Sequence, residues 1–138
     1  MNNKGFTLVE ILAVLMITII ITSISFAGIG VLNKNIHQNM YEETVALIEA
    51  SATRYGEDHQ NKLNTSCTVD GSAQNKCGSI TVQTLIDAGY ISTKKKNDAG
   101  EAVLIDERKK EEDENYYLNS KTVYIYLEND IVYSKYVE

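Results

Sequence analysis

The chain has 138 residues, room for one modest domain, and a formal net charge of -6. That acidic balance excludes a nucleic-acid module working through general phosphate attraction, which needs surplus Lys and Arg. With no Pro there is no Pro-rich linker and no Pro-driven kink, and two Cys and two His without ligand spacing make no structural zinc site.

Met1 to Lys4 is a short polar leader with Lys4 as its one charge, and an apolar run opens at Phe6 immediately after Gly5. From Ile11 to Leu32 no side chain is charged, and nearly all the charge lies after Lys34. A secretory signal peptide would show about 7 to 15 apolar residues and then a small-x-small cleavage site. This run is longer. About 20 apolar residues rising about 1.5 Å each span a hydrocarbon core of about 30 Å, so residues 6–32 are expected to form a membrane-crossing helix. Lys4 and Lys34 on either flank leave the positive-inside rule undecided. Orientation follows instead from the short leader on one side and the cysteine-bearing domain on the other, with the N-terminus inside and the head outside.

Glu10 does not belong in a plain anchor. An ionisable group at membrane depth costs about 2.5 to 3.5 kcal/mol at the bilayer centre and less near an interface, so it calls for a partner. A simpler role is to mark the helix start, where a carboxylate gains about 0.3 to 1 kcal/mol from the macrodipole. That role accounts for Glu10 and leaves unexplained the short leader, Gly5 at the junction and Phe6 opening the run.

The constellation Lys4-Gly5-Phe6-Thr7-Leu8-Val9-Glu10, followed by an apolar helix, resembles the prepilin cleavage motif of type IV pilins, pseudopilins and competence pilins. The resemblance implies a leader of residues 1–5, cut between Gly5 and Phe6 by a prepilin peptidase at the cytoplasmic face, with Phe6 becoming the N-methylated terminus. It also implies a role for Glu10. The new amine of one subunit would meet the carboxylate of a neighbour, neutralising both and fixing the axial register between helices. The fold implied is the α+β type IV pilin fold, a long N-terminal helix packed on a small antiparallel sheet. The partners implied are further pilin subunits in a helical filament, the peptidase, the pilus assembly platform with its ATPase, and the membrane before assembly; no cofactor and no general nucleic-acid binding are expected. The chain departs from many major pilins in lacking a proline midway along this helix and a glycine nearer its start. Gly28 and Gly30, beside Ala27, stand either as the soft point, since glycine costs about 1 kcal/mol against alanine in a helix, or as small contacts between packed helices.

Residues 33–56 continue the helix amphipathically, with Ile36, Met40, Val45, Ile48, Ala52 and Tyr55 at helical spacing. The heptads are too few for a coiled-coil stalk. Gly56 is expected to end the helix, residues 57–138 to form the exported head, and Glu57 to Gly78 to be a polar loop. Cys67 and Cys77 lie in its Ser, Thr, Asn and Gly-rich part, good context for a disulfide staple. Such a bridge closes a short loop worth about 2.5 to 3 kcal/mol and implies an oxidising, exported location.

Ser79 to Ile91 reads as a short helix, capped by Ser79 or Thr81, with Val82, Leu85 and Ile86 as its apolar face and Gly89 at its left-handed end. Lys94 to Lys96 and the mixed charges from Asp106 to Glu114 read as solvated loops, with contacts between subunits as the other use of either. Val123, Ile125 and Leu127 alternate with Tyr124 and Tyr126, and Asn129-Asp130 precedes Ile131-Val132-Tyr133, which predicts a hairpin. Ala102 to Ile105 and Tyr116 to Leu118 are candidates for further strands of an antiparallel sheet, one face on the helix and a tyrosine-rich face outward. Those tyrosines suit either adhesion, through amphipathic rings, or simple strand formation.

No phosphate loop, nucleophile motif or acid-base pair outside charged loops supports an enzyme. The expectation is a structural subunit of a type IV pilus, held in the cell membrane by one span and then carried into an extracellular filament. A pseudopilin of a secretion or competence system and a membrane-tethered binding module are the alternatives.

Overall fold

The computed structural model describes residues 8–69 and 71–138, and for residues 23–31 the backbone alone. Its elements are helix α1 (Leu8–Asp58), a 3-10 turn (Gln60–Lys62), strands β1 (Thr65–Val69) and β2 (Ser72–Thr81), helix α2 (Val82–Asp87), and strands β3 (Thr122–Glu128) and β4 (Ile131–Val137). The chain divides into two compact units, Met1–His37 and Gln38–Glu138.

In the first unit α1 carries its apolar side chains from Leu8 to Ile21 exposed on every side. The two threonines here are accommodated locally: Thr18 donates its hydroxyl to the Val14 carbonyl at 2.6 Å and Thr22 to that of Thr18 at 2.8 Å. Each returns its polar atom to the helix backbone, the usual solution for hydroxyls in an apolar helix. Among the described residues no helix is long and apolar enough to cross a membrane. The apolar run marked in the sequence continues through residues 23–31, whose side chains lie outside the description.

In the second unit the α1 stretch from Gln38 presents Tyr41, Ile48, Ala52 and Tyr55 to the core, with Val45 packed beside them. These positions recur every three or four residues, which keeps them on one face. Ile36 and Met40 were expected on that face and are exposed instead, while Tyr41, absent from the sequence reading, is buried. The opposing surface is the inner face of a four-stranded antiparallel sheet in the order β1-β2-β3-β4. Val123 and Ile125 of β3 and Val132 and Tyr136 of β4 supply that face, and Leu63, Val82, Leu85, Ile91 and Leu118 close the core. The alternation that predicted the hairpin is the alternation that buries it. Tyr126 stands opposite Tyr133 in the register, and the connection uses Asn129 and Asp130 at φ 51° and 62°. Two consecutive positive φ values mark the hairpin turn that matches strand twist, and Asn and Asp tolerate them best after glycine.

Gly56 does not end the helix, which runs on to Asp58. A Cβ on Gly56 would overlap Ile125 Cγ2 and stand 2.8 Å from Val132 Cγ1, so the glycine lets α1 approach β3 and β4. Gly56→Ala should therefore destabilise the head. Overpacking of about 1 to 3 kcal/mol against two β-branched side chains is set against a gain of about 1 kcal/mol in helix propensity, leaving a net loss of up to about 2 kcal/mol. The urea midpoint of the variant measures it, and an unchanged or higher midpoint would contradict the close approach.

Three further expectations are corrected. The polar loop expected over Glu57 to Gly78 holds the β1–β2 hairpin: its Thr, Ser and Val residues form a half-exposed edge ribbon without a strong hydrophobic signal. Ala102 to Ile105 and Tyr116 to Leu118 add no strands to the sheet and meet their neighbours only in isolated bridges, Lys96 with Ala102 and Ile105 with Tyr117. Asn119 does the work of a ladder there, accepting from the Leu104 backbone amide at 2.9 Å and donating to the Ala102 carbonyl at 2.9 Å. α2 is shorter than the expected Ser79 to Ile91, running Val82–Asp87; of the two expected caps Thr81 serves, its Oγ1 accepting from the Thr84 amide at 3.3 Å, while Ser79 lies in β2. The helix ends as predicted, with Gly89 at φ 79° and the amides of Tyr90 and Ile91 returning to the Leu85 carbonyl at 2.9 and 3.2 Å.

Candidate functional site

Gly5 and Phe6, the expected cleavage pair, lie outside the described residues. Glu10 is described: it stands in the first turn of α1, exposed, beside Ile11, Val14 and Leu15, which with it line a shallow groove of about 310 Å³. A carboxylate thus shares one strip of helix surface with purely apolar neighbours. Such a strip is stable in lipid or against other apolar helices, and in either setting the carboxylate is strongly attracted to a cation. α1 continues as helix through Gly28 and Gly30, which fall in the stretch whose side chains are outside the description.

Cys67 and Cys77 are bonded, with their Cα atoms 5.9 Å apart, across the β1–β2 hairpin. Cys77 is 1% exposed, and the Thr65 hydroxyl donates to its carbonyl at 2.7 Å. The bridge clips the outer strand of the sheet to its neighbour.

The mixed charge run from Asp106, expected as a solvated loop, begins with a buried group. Asp106 is 2% exposed and Arg108 grips it through Nε at 2.9 Å and Nη2 at 2.8 Å, with the Arg108 backbone amide adding a third bond at 3.0 Å. The same Nη2 donates to Glu138 Oε1 at 2.6 Å, and the guanidinium lies 3.3 Å from the centroid of the Tyr41 ring. Tyr41 donates in turn to Glu138 at 3.1 Å. Sequence reasoning missed this cluster because its members are far apart in the chain; the one local hint is that Asp106 follows the buried pair Val103 and Ile105. Burial alone would push the Asp106 carboxyl up, but the side-chain and backbone bonds from Arg108 outweigh it and hold it below the usual carboxylate range. The Glu138 carboxyl is also held low, by Arg108 first and Tyr41 second. Burial raises the Tyr136 phenol, and the nearby Tyr41, Glu138 and Asp106 raise it further.

Folded-state values below unfolded ones mean stability that is complete above the unfolded carboxylate range near about pH 4 and lost as pH falls through the depressed values. The head should therefore keep its urea midpoint from neutrality to about pH 5 and lose it steeply below about pH 4. Asp106→Asn should flatten that acid limb while lowering the midpoint at neutral pH. An acid limb identical to wild type would exclude Asp106 as its source.

On the outer face of the sheet Tyr124 and Tyr126 are half-buried together, and Tyr126 stacks on Tyr133 with ring centroids 5.7 Å apart. Among the described residues no group of His, Cys, Asp and Glu could hold a metal ion.

A family model described as the prokaryotic N-terminal methylation motif matches residues 1–29. Those residues carry the type IV prepilin leader motif. Similarity extends beyond the leader: the ComG operon protein 3 homolog of Bacillus licheniformis is 29% identical to this chain over 113 residues, 82% of this chain and 100% of that relative. No solved structure matches this chain. The long helix on a small antiparallel sheet is the α+β arrangement of the type IV pilin fold.

Proposed function

We propose that this chain is a structural, non-catalytic subunit of a type IV pilus, inserted in the cell membrane through residues 6–32 and moved into an extracellular filament after cleavage between Gly5 and Phe6. The observation that carries the reading is the methylation-motif match at residues 1–29 together with a helical stretch, Leu8 to Ile21, whose apolar side chains are exposed all round. Such a surface needs lipid first and neighbouring helices afterwards, and a cut that frees an amine four residues before Glu10 gives those helices a way to find register. Prepilin peptidase, sister subunits and an assembly platform with its ATPase are the partners this requires.

The second reading is a pseudopilin of a competence-type assembly, favoured by the likeness to the ComG operon protein 3 homolog. Both readings share processing and differ in what is built. Incubation with prepilin peptidase should remove residues 1–5; an intact product would favour a simple membrane tether. Electron microscopy of cells with and without the protein, labelled by antibody to the head, then separates long surface filaments from short or sparse ones.

A further inference from the structure

The head carries a groove of about 310 Å³ in which Tyr41, Glu42, Glu49, Tyr136 and Glu138 gather over Val45. We propose that this groove receives a lysine ammonium from a second copy of the same chain, supplied by the segment Lys94–Lys96. The inference rests on the filament reading only in requiring a second copy at close range.

Charge is the first argument. Three of the groove's side chains are carboxylates, and the decisive group is neutral: Tyr136 is 7% exposed, and its buried hydroxyl meets no partner in good hydrogen-bond geometry, with the Tyr41 phenol nearby. A buried polar atom without a partner is costly, and its neighbours Glu138 and Asp106 already accept from Arg108. The phenol oxygen has lone pairs to offer, so a donor cation reaching the groove would satisfy it together with the carboxylates around it. Arg108 already occupies the Tyr41 ring with a guanidinium, which leaves an ammonium on a long flexible stem as the fitting occupant.

The chain holds two such groups side by side in one segment. Lys94 and Lys96 are exposed, and neither makes an ion pair among the described residues, whereas Lys95 between them is taken by Glu107. The segment is held in place: the Lys95 amide donates to Thr93 Oγ1 at 3.1 Å and the Val103 amide to the Lys95 carbonyl at 3.0 Å. Because the groove and the lysines belong to different parts of one surface, their meeting across copies is heterologous, and a heterologous contact that does not close propagates as a helix.

Zero-length carbodiimide coupling of assembled full-length protein tests this directly, because it joins only carboxylates and amines already in contact. The expected result is a covalent dimer whose digest links Glu42, Glu49 or Glu138 to Lys94 or Lys96, with the same linkage absent from the monomer band. Lys94→Glu with Lys96→Glu should abolish that linkage, and Glu42→Lys added to them should restore a coupled dimer with the charges exchanged. Tyr136→Phe should weaken the linkage while leaving the head's urea midpoint equal or higher, which separates a binding hydroxyl from a structural one. Filaments without this linkage, or a linkage confined to the monomer band, overturn the proposal and leave the filament reading standing. Absence of filaments sinks that reading instead, and the same coupling on full-length protein in detergent then decides this one: no linkage there overturns it as well.

Discussion

Replacing Glu10 with Ala should leave leader removal intact and abolish assembly. The expectation combines a position and a magnitude. Glu10 is exposed in the first turn of α1 among Ile11, Val14 and Leu15, so a subunit packing there buries the carboxylate in apolar surroundings. Breaking a buried ion pair by removing one partner costs about 3 to 5 kcal/mol, since the other charge stays buried. In the proposed filament that charge would be the amine that cleavage frees on Phe6 of a neighbour. At about 1.4 kcal/mol per tenfold, even the low end reduces subunit addition more than about 100-fold. Mass spectrometry should find residues 1–5 removed from the variant, while sheared cell surfaces yield no filaments. Filament yield equal to wild type would rule out the pairing. A variant that also stops being cleaved would instead place Glu10 in peptidase recognition.

What was legible in the sequence divides along physical lines. The methylation motif is contiguous, so it is readable in a short window of sequence. The β3–β4 hairpin was equally open, because strict alternation of Val123, Ile125 and Leu127 with tyrosines and the Asn129-Asp130 turn are local signals that packing reinforced. Gly56 shows where this fails. Read locally it is a helix breaker; in the fold it is a contact surface for Ile125 and Val132, residues some seventy positions away. Nothing near Gly56 announces that two strands will press on it.

The charged cluster failed to show itself for the same reason. Asp106 sits in a run that looks solvated, and its burial depends on Arg108 bridging to Glu138 and stacking on Tyr41. A buried carboxylate is tolerated only when its partners converge, and convergence is a tertiary property. Asn119 hides similarly: a polar residue whose amide replaces the backbone ladder that Ala102 to Ile105 was expected to make.

The second large effect concerns the disulfide. Cys67 and Cys77 are separated by 10 in sequence, and a loop of that size is worth about 2.5 to 3 kcal/mol through the entropy it removes from the unfolded chain. Where that loss is felt depends on β1. It is an outer strand, paired only with β2, and its residues are mostly exposed, so little apolar burial holds it once the bridge is gone. Cys67→Ser with Cys77→Ala should accordingly speed amide exchange across residues 65–69 by about 100-fold, the equivalent of that free energy. The β3–β4 amides carry the core residues Val123, Ile125 and Val132 and should slow or quicken only as far as the global midpoint moves. If β1 unfolds with the rest of the head, the urea midpoint falls by the full amount; if it frays alone, the midpoint holds and the exchange is local. Unchanged exchange at β1 together with an unchanged midpoint would mean that strand pairing alone holds the hairpin, and that the bridge guards against something other than unfolding.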